Sequence, residues 1–451
     1  VALSADELKT IDTLKRRLDD TYSNDKKFSD YYHCLQQVEQ LGMAIPPAMR
    51  RFLVVANWPR VVVDTPVARE QLRGLFLPGE DVADPRLAAI ADASNLAAQL
   101  KMFNRDRRIY GRAFLSVGSN ELDPTLPLIR AESPTEMAAT IDVRHEVVTS
   151  AARFYGIDPE TGQSPTNLTL YMPDYTVWAV MQDGSWVEAD RDDHRLGQVP
   201  VVMHLNNRMS GGAMVGESAL VDIIGLTDSV ARSLTNMQFA QEAHGIPRMW
   251  MTGVSRQDFI DENGQPIPAF KAYFDAIHTL TNAGAKIGQL TAADLKNFET
   301  AVRLYGTQAA TITGFPARYF GITTVNPSSE GGINAEEAEL VQRVEAENLE
   351  VGVTLGWVAA LALRFTGAEQ IQGSRISAEW INPATPTVAQ QTDAIVKLRQ
   401  VGLLSQQGAW DEMGWSQTRK DREAKYLAQE AMQTLDALKL TGNDGSTGVG
   451  A

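Results

Sequence analysis

TAADLKNFETAVRLYGTQAATITGFPARYFGITTVNPSSEGGINAEEAELVQRVEAENLEVGVTLGWVAALALRFTG, residues 291–367, reads as two long helices separated by a short turn and a polar loop. In the first, Thr291 stands where an N-cap residue accepts a backbone N–H, and Asp294 places a negative charge in the first turn. Leu295, Phe298, Val302, Tyr305, Ala309 and Ile312 follow at alternating spacings of three and four. Such a seam packs against another helix, in the same chain or in a neighbour. The run stops at Gly314-Phe315-Pro316, where glycine supplies a C-terminal cap and proline cannot continue the hydrogen-bond ladder. Residues 323–332 are small and polar, a loop composition. A second helix is predicted over about 334–365. Its first half sets Glu336, Glu337, Glu339, Glu345, Glu347 and Glu350 against Arg343 alone, a net charge of −5 over residues 334–350. That run is either a solvated helix face or a surface that faces another polyanion and must not stick to it. Neither helix carries a residue set suited to covalent chemistry.

With 451 residues, 44% of them hydrophobic, the chain can bury a substantial core, expected as two or more substructures. Cys34 is the one cysteine, which rules out an internal disulfide and reads as a small buried residue rather than a metal ligand. The first residues lack the order of a signal peptide, and the most apolar stretch, 351–365, is too short for a membrane span. A reducing, soluble compartment is expected. A formal charge of −15 argues against a protein that coats DNA, since such binding comes from clustered lysine and arginine. The local basic runs Lys15-Arg16-Arg17, Arg105-Asp106-Arg107-Arg108 and Arg419-Lys420-Asp421-Arg422 are interleaved with acids or lie on amphipathic helices, and read as solvated faces.

Along the chain, residues 5–41 read as a helix interrupted at Ser23-Asn24-Asp25, and residues 52–64 as an extended apolar segment ahead of a helix containing Val67, Gln71 and Leu72. A helix over about 86–110 buries Leu87, Ile90, Leu96, Leu100 and Phe103. Alternating strands fill 113–205, and a helix over 217–244 turns Leu220, Ile223, Leu226, Val230, Leu234 and Met237 inward. After Gly367 come a strand at 375–381, a helix at 387–402, a final helix capped by Ser416 and a disordered end. The fold class is α+β.

Patterns of catalysis fail on inspection. Gly211 to Ser218 has the glycine spacing of a phosphate-binding loop, but Glu217 stands where lysine is needed and would repel the phosphates. Gly216-Glu217-Ser218-Ala219-Leu220 lacks the closing glycine of a nucleophile elbow, and His145-Glu146 has no second histidine four residues on. Asp192-Asp193-His194 is the one remaining metal-like trio, in a polar loop before Pro200. It supports an alternative reading as a soluble enzyme. The residues favour no enzyme, cofactor or resident metal.

Several segments taken in order resemble the portal (head-to-tail connector) proteins of tailed bacteriophages, in the branch common in actinobacterial siphophages. They are 57–64 (Asn-Trp-Pro-Arg-Val-Val-Val-Asp) with Arg69, 110–118 from Tyr110-Gly111-Arg112, 129–137 with Glu132-Ser133-Pro134, and 197–202. Gly216-Glu217-Ser218 with Asp228 follows, then 242–248, Gly314-Phe315-Pro316 before Phe320-Gly321, and Pro327-Ser328-Ser329 ahead of the acidic helix. Relatives run more directly from serine into that helix than 329–335 does. The similarity spans about 31–415.

The resemblance implies a closed ring of about twelve subunits at one capsid vertex, through which double-stranded DNA is packaged and ejected without sequence recognition. It implies a wing over 1–210, a stem helix at 217–246, a small α/β clip at 247–290 and a second stem helix at 291–318. A tunnel loop at 323–333, a long wing or channel helix at 334–366, a wing return at 367–415, a crown helix at 416–441 and a disordered tail at 442–451 complete it. DNA-channel residues would be Thr323, Thr324, Asn326, Ser328, Ser329, Glu330, Glu336, Glu337 and Glu339, with Glu345 and Glu347 on the same acidic face. Arg256, Asp258, Asp261 and Glu262 of the clip would dock the packaging motor, the terminase large subunit, and later the head-tail adaptor. Major capsid and scaffolding proteins are the other implied partners, with no membrane. The implied location is the virion, and the host cytoplasm during assembly. A non-portal oligomeric adaptor protein of the virion is the other alternative.

Overall fold

Two hydrophobic bodies share one long helix, and the reason lies in how that helix changes along its length. The computed structural model describes residues 2–36, 54–80, 84–156, 165–210, 215–244, 249–253, 260, 265, 284, 286–289, 295–323, 330–367, 371–384, 388–415 and 417–442. The chain divides into one unit over Val1–Pro383 and another over Ala384–Ala451. The described elements mix helices with antiparallel sheets, the α+β class expected from the sequence.

Helix α1 (Ala5–His33) begins in a capping box: the Ser4 side chain accepts from the Glu7 backbone, and Glu7 accepts in return from the Ser4 N–H. It runs unbroken through Ser23-Asn24-Asp25. Asp25 does not break the helix because its carboxylate is buried against the Arg112 guanidinium, 2.6 Å away. Cys34 caps the helix in the left-handed region (φ 59°) and is half-buried rather than buried. Helix α2 (Trp58–Val67) replaces the expected extended segment. Pro59 sits in its first turn, where a missing N–H costs nothing, and Trp58, Val62, Val63 and Val67 bury one face despite their β-branched character. Leu72, expected on a helix, starts strand β1 (Leu72–Phe76).

The predicted helix over 86–110 is two, α3 (Pro85–Ser94) and α4 (Leu96–Tyr110), divided at Asn95 with φ 50°. All five of its expected core residues are buried. Strands β2 (Arg112–Gly118), β3 (Leu128–Glu132) and β9 (Val201–Leu205) form a sheet in the order β3-β2-β9. Between β3 and β9 in sequence, β4 (Met137–Asp142), β5 (Val147–Tyr155), β6 (Asn167–Tyr171), β7 (Thr176–Gln182) and β8 (Ser185–Asp192) make a meander paired in chain order. Helix α1 covers that meander through Ile11 and Leu14.

Helix α5 (Val221–His244) starts four residues later than expected, and Leu220, Ile223 and Val230 are buried. Strands β10 (Met249–Thr252) and β11 (Lys286–Gln289) pair as an antiparallel ribbon at the two ends of 247–290. Helix α6 (Lys296–Thr313) carries the predicted seam with one exception: Ile312 is 41% exposed and Thr313 takes the buried position. Thr291 and Asp294 lie outside the described residues. Helix α7 (Glu330–Phe365) begins before the expected residue 334, so Glu330 to Ile333 are helical rather than loop.

The N-terminal half of α7 buries only a stripe, Leu340 and Val344, while its C-terminal half is buried nearly all round from Val351 to Leu363. That accounts for a 36-residue helix apolar enough in part to suggest a membrane span: its apolar half is the middle of a core. This core, at the C-terminal half of α7, adds Leu87, Leu100, Phe103, Leu115 and Ile129. A second core gathers Val63, Ile109, Leu220, Ile223, Ala309 and Phe320 around the N-terminal half of α7. Strand β12 (Ser377–Trp380) pairs antiparallel with β1.

In the second unit, α8 (Val388–Gln400) and α10 (Gln417–Gly442) match expected helices, and α9 (Gln406–Glu412), capped by Ser405, is an addition. Ser416 and the tail beyond residue 442 lie outside the described residues.

Gly216 explains why the glycine run ahead of α5 resembled a phosphate loop. A Cβ there would lie 1.9 Å from the Gly111 carbonyl oxygen and 2.8 Å from the Asn206 backbone, so the glycine permits three chain segments to touch. Gly216→Ala should lower unfolding free energy by about 3 kcal/mol or more, read as a fall in urea midpoint, because neither neighbour is a movable side chain.

Candidate functional site

The basic run on α4 is not a solvated face. Arg107 and Arg108 are 1% and 4% exposed, since a helix that passes from one core into the other must turn some side chain toward the gap between them. Arg107 places Nη2 2.7 Å from Glu70 Oε1 and Nη1 2.8 Å from Glu347 Oε2. Arg108 reaches the same two carboxylates, 2.8 Å from Glu70 and 2.5 Å from Glu347. Arg107 also donates to Asn206 Oδ1 and Asn104 Oδ1. Two guanidiniums thus face two carboxylates with every pairing made. Burial alone would raise the Glu347 carboxyl, but Arg108 and Arg107 outweigh it and hold it below the usual carboxylate range. Beside them, burial and then Arg107 push His204 down to about 3; the neutral ring shares a hydrogen bond with Thr354 Oγ1 at 2.8 Å.

The backbone around this cluster is equally tied. Asn206 N–H donates to the Gly111 carbonyl, Glu217 N–H donates to the Asn206 carbonyl, and Ala219 N–H donates to the Arg108 carbonyl. The Ser218 hydroxyl also donates to Arg108. Segments singled out in the sequence, 110–112 and 216–218, therefore meet here as structural residues.

A second cluster holds the start of α7. Arg69 Nη2 lies 3.1 Å from Glu337 Oε2 and 3.1 Å from the Tyr319 hydroxyl oxygen. Arg318 pairs with Glu336 at 2.9 Å and with Glu337. Glu337 is 5% exposed. Two of the glutamates counted on the acidic face, Glu337 and Glu347, thus turn their carboxylates inward to arginines of the same chain. Glu339, Glu345 and Glu350 remain on exposed surface, Glu339 facing Arg343 at 3.6 Å. The correction could not come from helix periodicity, because Arg69 and Arg107 approach from more than two hundred residues away.

Of the other sequence-predicted residues, Thr323 is described and exposed, whereas Thr324, Asn326, Ser328 and Ser329 lie outside the described residues, as do Arg256, Asp258, Asp261 and Glu262. Glu330 opens α7. His194 of the metal-like trio accepts a hydrogen bond from the Leu196 backbone and packs near Phe365. Among the described residues no cluster of three metal-ligating side chains occurs.

Comparison with known proteins places this geometry. Residues 9–436 match the family model described as phage portal protein, SPP1 Gp6-like. The chain is 31% identical over 440 residues to the portal protein of Mycobacterium phage D29, covering 95% of this chain and 90% of that one. It is likewise 31% identical over 423 residues to the portal protein of Mycobacterium phage L5, covering 91% and 86%. A chain from the virion of a native gene transfer agent particle is similar at 12% identity and a TM-score of 0.44, over 88% of this chain and 99% of that one.

Two outcomes are expected of the ionic cluster. Glu70→Ala leaves two buried guanidiniums short of a carboxylate and should cost about 3–5 kcal/mol of stability by urea denaturation. His204 in the unfolded chain takes a proton near its ordinary pKa of 6.5, whereas the folded chain refuses it until about 3. Between those values the unfolded state binds more protons, so stability falls with falling pH by up to about 1.4 kcal/mol per unit. Glu347 adds its own loss only below its ordinary 4.5. Urea midpoints at about pH 6.5 and pH 5 should therefore diverge less for His204→Gln than for the parent chain.

Proposed function

The chain belongs to the SPP1 Gp6-like family of phage portal proteins, and on that premise we propose that it forms a ring of about twelve copies at one capsid vertex of a virion, as a conduit for double-stranded DNA. The observation that carries the proposal is the reach of the family match: it runs through both hydrophobic bodies, the ribbon between α5 and α6 and most of the last helix, rather than over one shared module. The role is structural, with no catalytic step assigned to the chain.

The proposed division of labour follows the order of the elements. Helices α5 and α6 flank residues 247–290, which start and end on the paired strands β10 and β11, so that this segment leaves and re-enters the body at one place. It serves as the clip, with Arg256, Asp258, Asp261 and Glu262 offered to the terminase large subunit and then to the head-tail adaptor. Residues from Thr323 to the start of α7 serve as the tunnel loop. DNA that must glide cannot be gripped, since six to ten phosphate contacts would shift affinity by about 10³–10⁵ over ordinary salt changes. A chain of formal charge −15, with Glu339, Glu345 and Glu350 exposed on α7, suits a lining that repels the duplex.

Averaged electron-microscope images of the purified protein should show rings with an open central channel; solitary chains at high concentration, or a plug without a channel, would count for an adaptor instead. Replacing Glu339, Glu345 and Glu350 together by lysine should leave ring images unchanged and slow DNA packaging several-fold. Unchanged packaging would remove α7 from the lining.

A further inference from the structure

Four segments cross from the core at the N-terminal half of α7 to the core at its C-terminal half, and each is polar where it crosses. Helix α4 gives Phe103 to one core and Ile109 to the other, with Asn104, Arg107 and Arg108 between. Helix α7 gives Val344 and Val351, with Glu347 and Asn348 between. The turn from α2 to β1 places Glu70 between Val67 and Leu75, and the path from β9 to α5 places Asn206 between partly buried Val202 and Leu220. All of these side chains but Asn348 bond one another in the arginine cluster. The two cores therefore meet across a thin polar stratum rather than through interdigitated apolar side chains.

The pairing inside that stratum is redundant. Glu70 Oε1 accepts from Arg107 and twice from Arg108, while its Oε2 is buried with no hydrogen bond among the described residues. Asn104 Nδ2 and Asn348 Oδ1 are likewise buried and unbonded. Arginines that already touch both carboxylates can change their share of each without leaving a charge alone. Packed apolar surfaces have no such latitude, because displacement opens voids. We propose that the stratum is a joint: the two hydrophobic bodies open and shift separately across it, with Arg107 and Arg108 trading carboxylates as they do.

The body at the N-terminal half of α7, which takes in the proposed stem helices α5 and α6, is the one that yields first. Its half of α7 buries a single stripe and its helix α6 leaves Leu304 57% and Ile312 41% exposed, whereas the C-terminal half of α7 is buried from Val351 to Leu363 except at Val353, 55% exposed, and half-buried Trp357. The joint is a property of the single chain and stands apart from the ring reading. Within a DNA-conducting ring it would let the stem yield while the wing holds, a consequence that does rest on that reading.

Hydrogen–deuterium exchange on the purified full chain tests the joint. Amides over 340–344 and over 351–361 should exchange in two classes whose rates differ about tenfold or more, although they belong to one helix. Glu70→Gln, which keeps the hydrogen-bonding shape and removes a charge, should speed the first class about tenfold and the second less than about twofold. A single class in the parent chain, or equal acceleration of both in the variant, overturns the proposal. Should the variant fail to fold, the comparison within the parent chain still decides.

Discussion

Two arginines neighbouring in sequence, Arg107 and Arg108, share two carboxylates drawn from opposite ends of the chain, Glu70 and Glu347, and the remaining architecture is arranged about that contact. Burying three charges, with Glu347 left partly exposed, costs several kcal/mol each before their attraction offsets it, so such a cluster contributes little net stability. What it supplies is a requirement. Any packing of α2, α4 and α7 that separates one of these side chains from its partners leaves a charge stranded in a dry place, at a cost of about 3–5 kcal/mol. Only arrangements that keep each arginine beside at least one of the two carboxylates satisfy all four groups. Asn206 and the Gly111–Gly216 approach then bind the sheet and α5 to the same point.

The long helices, the buried faces of α3 and α4 and the α+β class were legible in the sequence because periodicity is local: Leu87 and Phe103 repeat on a helix whatever they pack against. Helix α2 was not legible, because Val61-Val62-Val63 favours a strand locally and only the surrounding core selects the helix. Asp25 misled for a related reason. An aspartate beside Ser and Asn marks a helix end unless a distant cation, here Arg112, takes its carboxylate.

Charge was harder still to read. A run such as Arg105-Asp106-Arg107-Arg108 looks the same in one dimension whether it meets water or the buried Glu70 and half-buried Glu347, and Glu347 lies 240 residues from Arg107. The same blindness overcounted the acidic face of α7, where Glu337 and Glu347 answer arginines inside the chain. The order of short segments, Tyr110-Gly111-Arg112 and Gly216-Glu217-Ser218 among them, carried the family even though their role proved to be packing rather than chemistry. Those residues touch because a glycine at each position admits the other's backbone.

The cluster's requirement is a statement about coupling, and a double-mutant cycle measures coupling. Arg107→Ala, Glu347→Ala and the double variant, each unfolded in urea beside the parent chain, give the interaction energy of the pair directly. The account predicts non-additivity, a coupling of about 1 kcal/mol or more, since each single change removes one of the two opposite charges that the other side chain faces. Additivity within about 0.5 kcal/mol would mean that the two side chains act independently, and would contradict it.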